Sequence, residues 1–142
     1  MPTELSVHAT QEEGLRFSMT AREHTVTTDY PLQPGEAGAG MRSLELLLAS
    51  LASCAGGSIV VLLRKMRQPA QSVEVIVRGS RRDQHPTGLT DIAMEFVVYG
   101  IGLDPATVAR ALAQSEEQIC PVWAMLKGGT RITSSLRLAA TK

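Results

Sequence analysis

The sequence predicts a mixed α+β fold in the order β-β-β-α-β-β-α-α-β, and three observations carry that reading. Residues 46–63 form one apolar run of 18 residues without a charge, long enough for a central helix. Short segments on both sides alternate polar and apolar residues with period two, as half-buried strands do. Near the C-terminus, Asp104-Pro105 and Cys120-Pro121 each place a proline where it opens a helix.

Residues 5–10, 15–20 and 23–28 read as strands, the first two joined by a turn at Gln11-Glu12-Glu13-Gly14. Residues 30–40 (YPLQPGEAGAG) hold two prolines and several glycines, so they form a loop, where a mobile or partner-contacting segment is expected. The long helix starts at Ser43, a capping residue type, with Glu45 in its first turn. It runs to Arg67 or Gln68, with Arg64, Lys65 and Arg67 complementing its negative end, and Pro69 stops it. Such a rod is about 37 Å long. Ala49, Ser53 and Gly57 recur every four residues on it, a strip of small side chains that lets a second helix or a sheet approach closely.

Residues 71–78 (QSVEVIVR) and 89–99 (LTDIAMEFVVY) read as paired strands around a loop containing His85-Pro86-Thr87-Gly88. A helix follows from Asp104-Pro105 through Ile119, with Val108, Leu112 and Ser115 on one face. A short helix opens at Cys120-Pro121 and ends by Gly128-Gly129, and residues 131–138 form the last strand.

At 142 residues this is one domain, 1–142, with 44% apolar and 20% charged residues. Formal net charge is zero, so no bulk field recruits nucleic acid or an acidic membrane, and neutrality favours an oligomer. The N-terminus has no basic segment followed by an apolar one, which argues against secretion and for a reducing cytoplasm. Residues 46–63 meet the length of a membrane span, but Ser50, Ser53, Ser58, Gly56 and Gly57 interrupt them and the segment stands alone. A core helix buried all round has the same signature.

Chemistry concentrates in two cysteines. Cys54 lies mid-helix in apolar company, where its pKa should rise unless a cation reaches it. Cys120 sits at a helix cap, where free N–H groups and the positive helix end favour thiolate. Position alone therefore makes Cys120 the stronger nucleophile. Both also fit a plain structural role, because free cysteine behaves as a small buried apolar residue. Two thiols exclude a metal site built from cysteines alone. His8, His24 and His85 are isolated, without metal-ligand spacing. Glu116-Glu117 reads as a solvated helix face and Trp123 as a packing or interface residue. Arg16 and Arg22, placed on strands, are the cations within reach of a buried thiol. No phosphate loop, zinc motif or basic aromatic surface is present.

With both cysteine segments in view, the chain resembles the OsmC/Ohr family of osmotically inducible and organic-hydroperoxide-resistance proteins. SLELLLASLASCAGGS is similar to the family's first-cysteine helix and EEQICPVWAML to its second-cysteine segment, in register with the strand and helix order. The opening Ser43-Leu44-Glu45-Leu46-Leu47-Leu48 is similar to the P-x-E-L-L-L pattern of the OsmC-like branch. The resemblance implies an intertwined homodimer with its long helices at the centre and its sites at the interface. It also implies a cytoplasmic thiol peroxidase that needs neither metal nor flavin. Cys54 would attack the O–O bond of an organic hydroperoxide or hydrogen peroxide, Cys120 would resolve the product as a disulfide, and an external dithiol would restore both. In the family a glutamate ten residues before the first cysteine and an arginine near the first turn activate the attacking thiol. Here Leu44 holds the first of those places, Glu45 follows one residue later, and the first turn carries no arginine. A non-catalytic small-ligand-binding or structural dimer with inert thiols is the alternative.

Overall fold

The computed structural model describes residues 3–142. Its elements follow the predicted α+β order, and the chain divides into two compact units, Met1–Leu47 and Leu48–Lys142.

In the first unit, β1 (His8–Gln11), β2 (Phe17–Ala21) and β3 (His24–Thr28) form an antiparallel sheet in sequence order. The β1–β2 turn closes through Glu12 N–H to Arg16 O and Arg16 N–H to Glu13 O, with Gly14 in the left-handed region at φ 58°. The first strand begins at His8 rather than residue 5, and Leu5 and Val7 are exposed. Arg22 and Glu23 make the two-residue β2–β3 turn, Arg22 adopting φ 56°. Neither Arg16 nor Arg22 is therefore on a strand, contrary to the sequence expectation.

The loop at 30–40 has its ends tied together. Buried Asp29 accepts the Ala39 N–H at 2.9 Å, and its own N–H bonds Met41 O at 3.0 Å. Gly40 passes so close to Thr27 that an added Cβ would lie 2.3 Å from the Thr27 carbonyl oxygen, so only glycine fits there.

Helix α1 (Ser43–Lys65) opens one residue differently from the sequence expectation. Ser43 is already helical. Arg42 takes the cap position, its carbonyl accepting the Leu46 N–H and its N–H donating to Glu45 Oε1 at 2.8 Å, the carboxylate half of a capping box. The helix ends where Arg67 turns left-handed at φ 56° and the Gln68 N–H reaches back to Leu63 O, a Schellman closure ahead of Pro69.

In the second unit, β4 (Ser72–Arg81) and β5 (Leu89–Tyr99) pair antiparallel. The chain then crosses through α2 (Pro105–Gln114), a π-turn (Ser115–Ile119) and α3 (Pro121–Leu126) to β6 (Arg131–Ala139), which pairs parallel with β5. Asp104 caps α2, its carboxylate accepting the Thr107 N–H. Leu51, Ala55, Ile59 and Leu63 of α1 are in the core with Ile92, Met94, Phe96 and Val98 of β5, Val108 and Leu112 of α2, and Trp123. Each of the larger aliphatic or phenyl side chains among them contributes about 1.5–3 kcal/mol when removed from water.

Two expectations change here. Helix α1 is long and apolar enough to cross a membrane by length and composition, yet it is buried on one face, not all round. Ser53, Gly57 and Val61 are exposed along the other, and nothing lies within 4 Å of a Cβ built on Gly57. The predicted helix through Ile119 also stops at Gln114, its last five residues winding as the π-turn.

Candidate redox site

The two cysteines lie in the second unit and both are free thiols. Cys54 is half-buried in the middle of α1, one turn after Leu51 and one residue before Ala55, both fully buried. Its carbonyl accepts the Ser58 hydroxyl at 2.9 Å. Helical hydrogen bonds run on both sides of it, so its backbone is fixed in both directions.

Cys120 is held differently, and Pro121 is the reason. Proline has no N–H, clashes with the carbonyl four residues earlier, and forces the residue before it out of helical geometry. Cys120 accordingly has extended φ −72°, ψ 107° and caps α3, with Pro121 in the first turn. The preceding chain absorbs the break as a π-turn, in which the Cys120 N–H bonds Ser115 O at 2.9 Å, five residues back. Glu116, one of the acidic pair read as a solvated face, accepts a hydrogen bond from Ser134 of β6.

The helix-cap argument for a reactive Cys120 meets a larger opposing effect. Cys120 is 2% exposed, and that burial pushes its thiol above the ordinary value of 9.0. The Trp123 and Val122 N–H groups pull the other way and do not overcome it. Cys54 adds to the rise as a nearby thiol. Cys120 is in the core cluster and Cys54 packs against it, so two thiols 66 residues apart in sequence come to one region of the core.

The remaining sequence candidates have local settings of their own. Glu45 is exposed at the start of α1 and serves its cap through Oε1. In the first unit, Arg16 Nε lies 3.4 Å from Oδ2 of buried Asp29, the carboxylate that also ties the loop at 30–40. Trp123 is buried in the core. His8 and His24 are exposed strand residues, and among the described residues no three His, Cys, Asp or Glu side chains gather into a metal-binding group.

Two residues had no functional reading in the sequence. Asp29 was signalled only by the turn-rich segment after it. Ser115 was placed on the buried face of its helix and is fully buried there, but its hydroxyl has no hydrogen-bond partner. A buried unpaired hydroxyl costs about 1–3 kcal/mol, and no sequence pattern reveals one.

Known proteins share this fold. The family described as OsmC-like protein matches residues 35–135, a span that includes both cysteines. Protein YhfA of Escherichia coli (strain K12) is 34% identical over 130 residues, covering 90% of this chain and 93% of its own. An OsmC-like protein from Mycoplasma pneumoniae superposes with a TM-score of 0.86 at 18% identity, covering 98% of this chain and 99% of that one. The organic hydroperoxide resistance protein OhrB of Bacillus subtilis does so with 0.68 at 18% identity, covering 95% and 98%. At such identities the two structures share the fold alone. The family match and the YhfA similarity carry more: this chain belongs to the OsmC-like protein family.

Proposed function

We propose that this protein is a cysteine-based peroxidase that reduces organic hydroperoxides or hydrogen peroxide through a Cys54/Cys120 dithiol–disulfide cycle. The observation that carries the reading is that two free thiols meet at one core cluster, Cys120 buried within it and Cys54 half-exposed against it. One structural relative, OhrB, is named for organic hydroperoxide resistance, and that name motivates the substrate class proposed here.

The chemistry follows from the asymmetry. Cys54 thiolate attacks the terminal oxygen of ROOH, the O–O bond breaks, and the alkoxide leaves as ROH after taking a proton, giving Cys54 sulfenic acid. While Cys54 is charged, that charge helps keep Cys120 protonated. Oxidation consumes the charge, because sulfenic acid is neutral. Cys120 is released from that repulsion at the moment its thiolate is needed. It then attacks the Cys54 sulfur, water leaves, and an external dithiol reduces the disulfide by exchange.

Glu45, with one oxygen engaged by the Arg42 N–H, secures the first turn of the helix that carries Cys54. A homodimer in the cytoplasm, formed over the exposed Ser53, Gly57 and Val61 face of α1, fits the small-residue strip and the zero net charge. The apolar company of Cys54 favours one competing reading, a ligand-binding protein without turnover. Peroxide consumption in the presence of a dithiol separates the two. We expect Cys54→Ser to abolish it in a folded protein, and unchanged turnover in that variant would rule out the mechanism.

A further inference from the structure

Forming a disulfide requires the two neighbouring sulfurs to close to about 2.05 Å. One of them has to move, and their supports differ. Cys54 is locked inside the hydrogen-bond ladder of a 23-residue helix between fully buried neighbours. Cys120 stands between a π-turn and a six-residue helix whose first residue has no N–H. Glu117, Gln118 and Ile119 on the outside of that turn are exposed. A π-turn holds one residue more than an α-helical turn, so exchanging its five-residue closing bond for a four-residue one slides the following chain by one position.

A second observation falls on the same turn. Ser115, whose carbonyl accepts the closing bond from Cys120, carries a fully buried hydroxyl without a partner. An unpaired buried hydroxyl raises the free energy of the arrangement that contains it relative to any arrangement that gives it a partner.

We propose that the Ser115–Ile119 turn is the joint through which Cys120 closes on Cys54, and that Ser115 is a positioning residue of the resolving step. This rests on the Cys54/Cys120 reading above. Cys120 thiol attacks the sulfur of Cys54 sulfenic acid, the S–S bond forms, the S–O bond breaks and water departs. The oxidant is the hydroperoxide consumed in the first step. The Cys120 N–H bond to Ser115 O opens as the sulfur moves, and the unpaired hydroxyl biases the reduced turn toward that opening.

Ser115→Ala removes the unpaired group, and alanine's higher helix propensity acts on the stability of the reduced turn in the same direction. The reduced variant should melt at or above the wild-type temperature. Its first step, followed as loss of one equivalent of tert-butyl hydroperoxide, should keep the wild-type rate. Resolution should slow about tenfold, read as Cys54 sulfenic acid trapped by dimedone before the disulfide forms. A wild-type resolution rate in Ser115→Ala would overturn the role of Ser115.

A second arm tests the joint without peroxide chemistry. Diamide oxidises the wild-type dithiol directly, and amide hydrogen exchange is compared between reduced and oxidised protein. Exchange at Cys120 and Ile119 should rise at least about tenfold on oxidation, while amides around Cys54 stay protected. Unchanged exchange at Cys120, or opening around Cys54 instead, would overturn the joint. If hydroperoxide is not consumed while diamide still opens the turn, the peroxidase reading fails and the joint stands.

Discussion

Two cysteines meet at one core cluster, but the chain delivers them in opposite ways. Cys54 comes from the middle of a 23-residue helix with its hydrogen-bond ladder intact on both sides. Cys120 comes from a break, where Pro121 ends one helical path and a π-turn takes up the extra residue. The regular element gives a fixed thiol, partly open to solvent. The irregular one gives a buried thiol, set between a π-turn and a proline. A dithiol cycle needs one of each, because the first step requires access and the second requires movement.

Stability measurements sharpen this comparison most strongly. Leu51, fully buried one turn before Cys54, is expected to cost about 2–5 kcal/mol when replaced by alanine, read from denaturant midpoints. Ile119, 46% exposed in the π-turn beside Cys120, should cost well under 1 kcal/mol on the same replacement. Equal losses at the two positions would erase the distinction between a rigid and a yielding support.

A smaller effect is expected from Pro121→Ala. Restoring the N–H and relaxing Cys120 lets the helix run on past residue 119, rotating Cys120 away from Cys54 by up to about 100° per residue of register. Diamide should then form the disulfide several-fold more slowly, while Cys54 keeps its rate of alkylation. A wild-type rate of disulfide formation would show that the break does not position Cys120.

The smallest effect is electrostatic. Because the Cys120 thiol lies above its ordinary value of 9.0, alkylation of Cys120 should stay slow at neutral pH and accelerate only beyond that value. The linked stability has the sign of a raised group. The folded state keeps a proton that the unfolded chain releases, so stability falls as pH rises through 9.0 toward the folded value. Cys54→Ser removes the neighbouring thiol that helps raise Cys120 and should make Cys120 react faster at a given pH. Slower alkylation in that variant would contradict the coupling between the thiols.

Much of the fold was legible in the sequence because its signals are local. The period-two segments became β4, β5 and β6, β5 with both predicted ends. Asp104-Pro105 capped and opened α2 as expected, and Val108, Leu112 and Ser115 all proved buried. What stayed hidden depends on three dimensions. A run without charges cannot tell a helix buried all round from one with a bare face, so the exposure of Gly57 and Val61 was not foreseen. Cys120 was read from its cap position, a local effect, whereas burial by distant strands and helices governs its thiol. Proline announced the break before α3, but nothing in the residues said that the strain would appear as a π-turn behind it.

The most direct measurement is a thiol titration of the reduced protein before and after one equivalent of an alkyl hydroperoxide, followed by peptide mapping. With two cysteines in the chain, the starting count is two. We expect it to fall to zero, with one peptide pair joined through Cys54 and Cys120 and one equivalent of the corresponding alcohol released. Two thiols still titrating beside unconsumed hydroperoxide would contradict the proposed cycle.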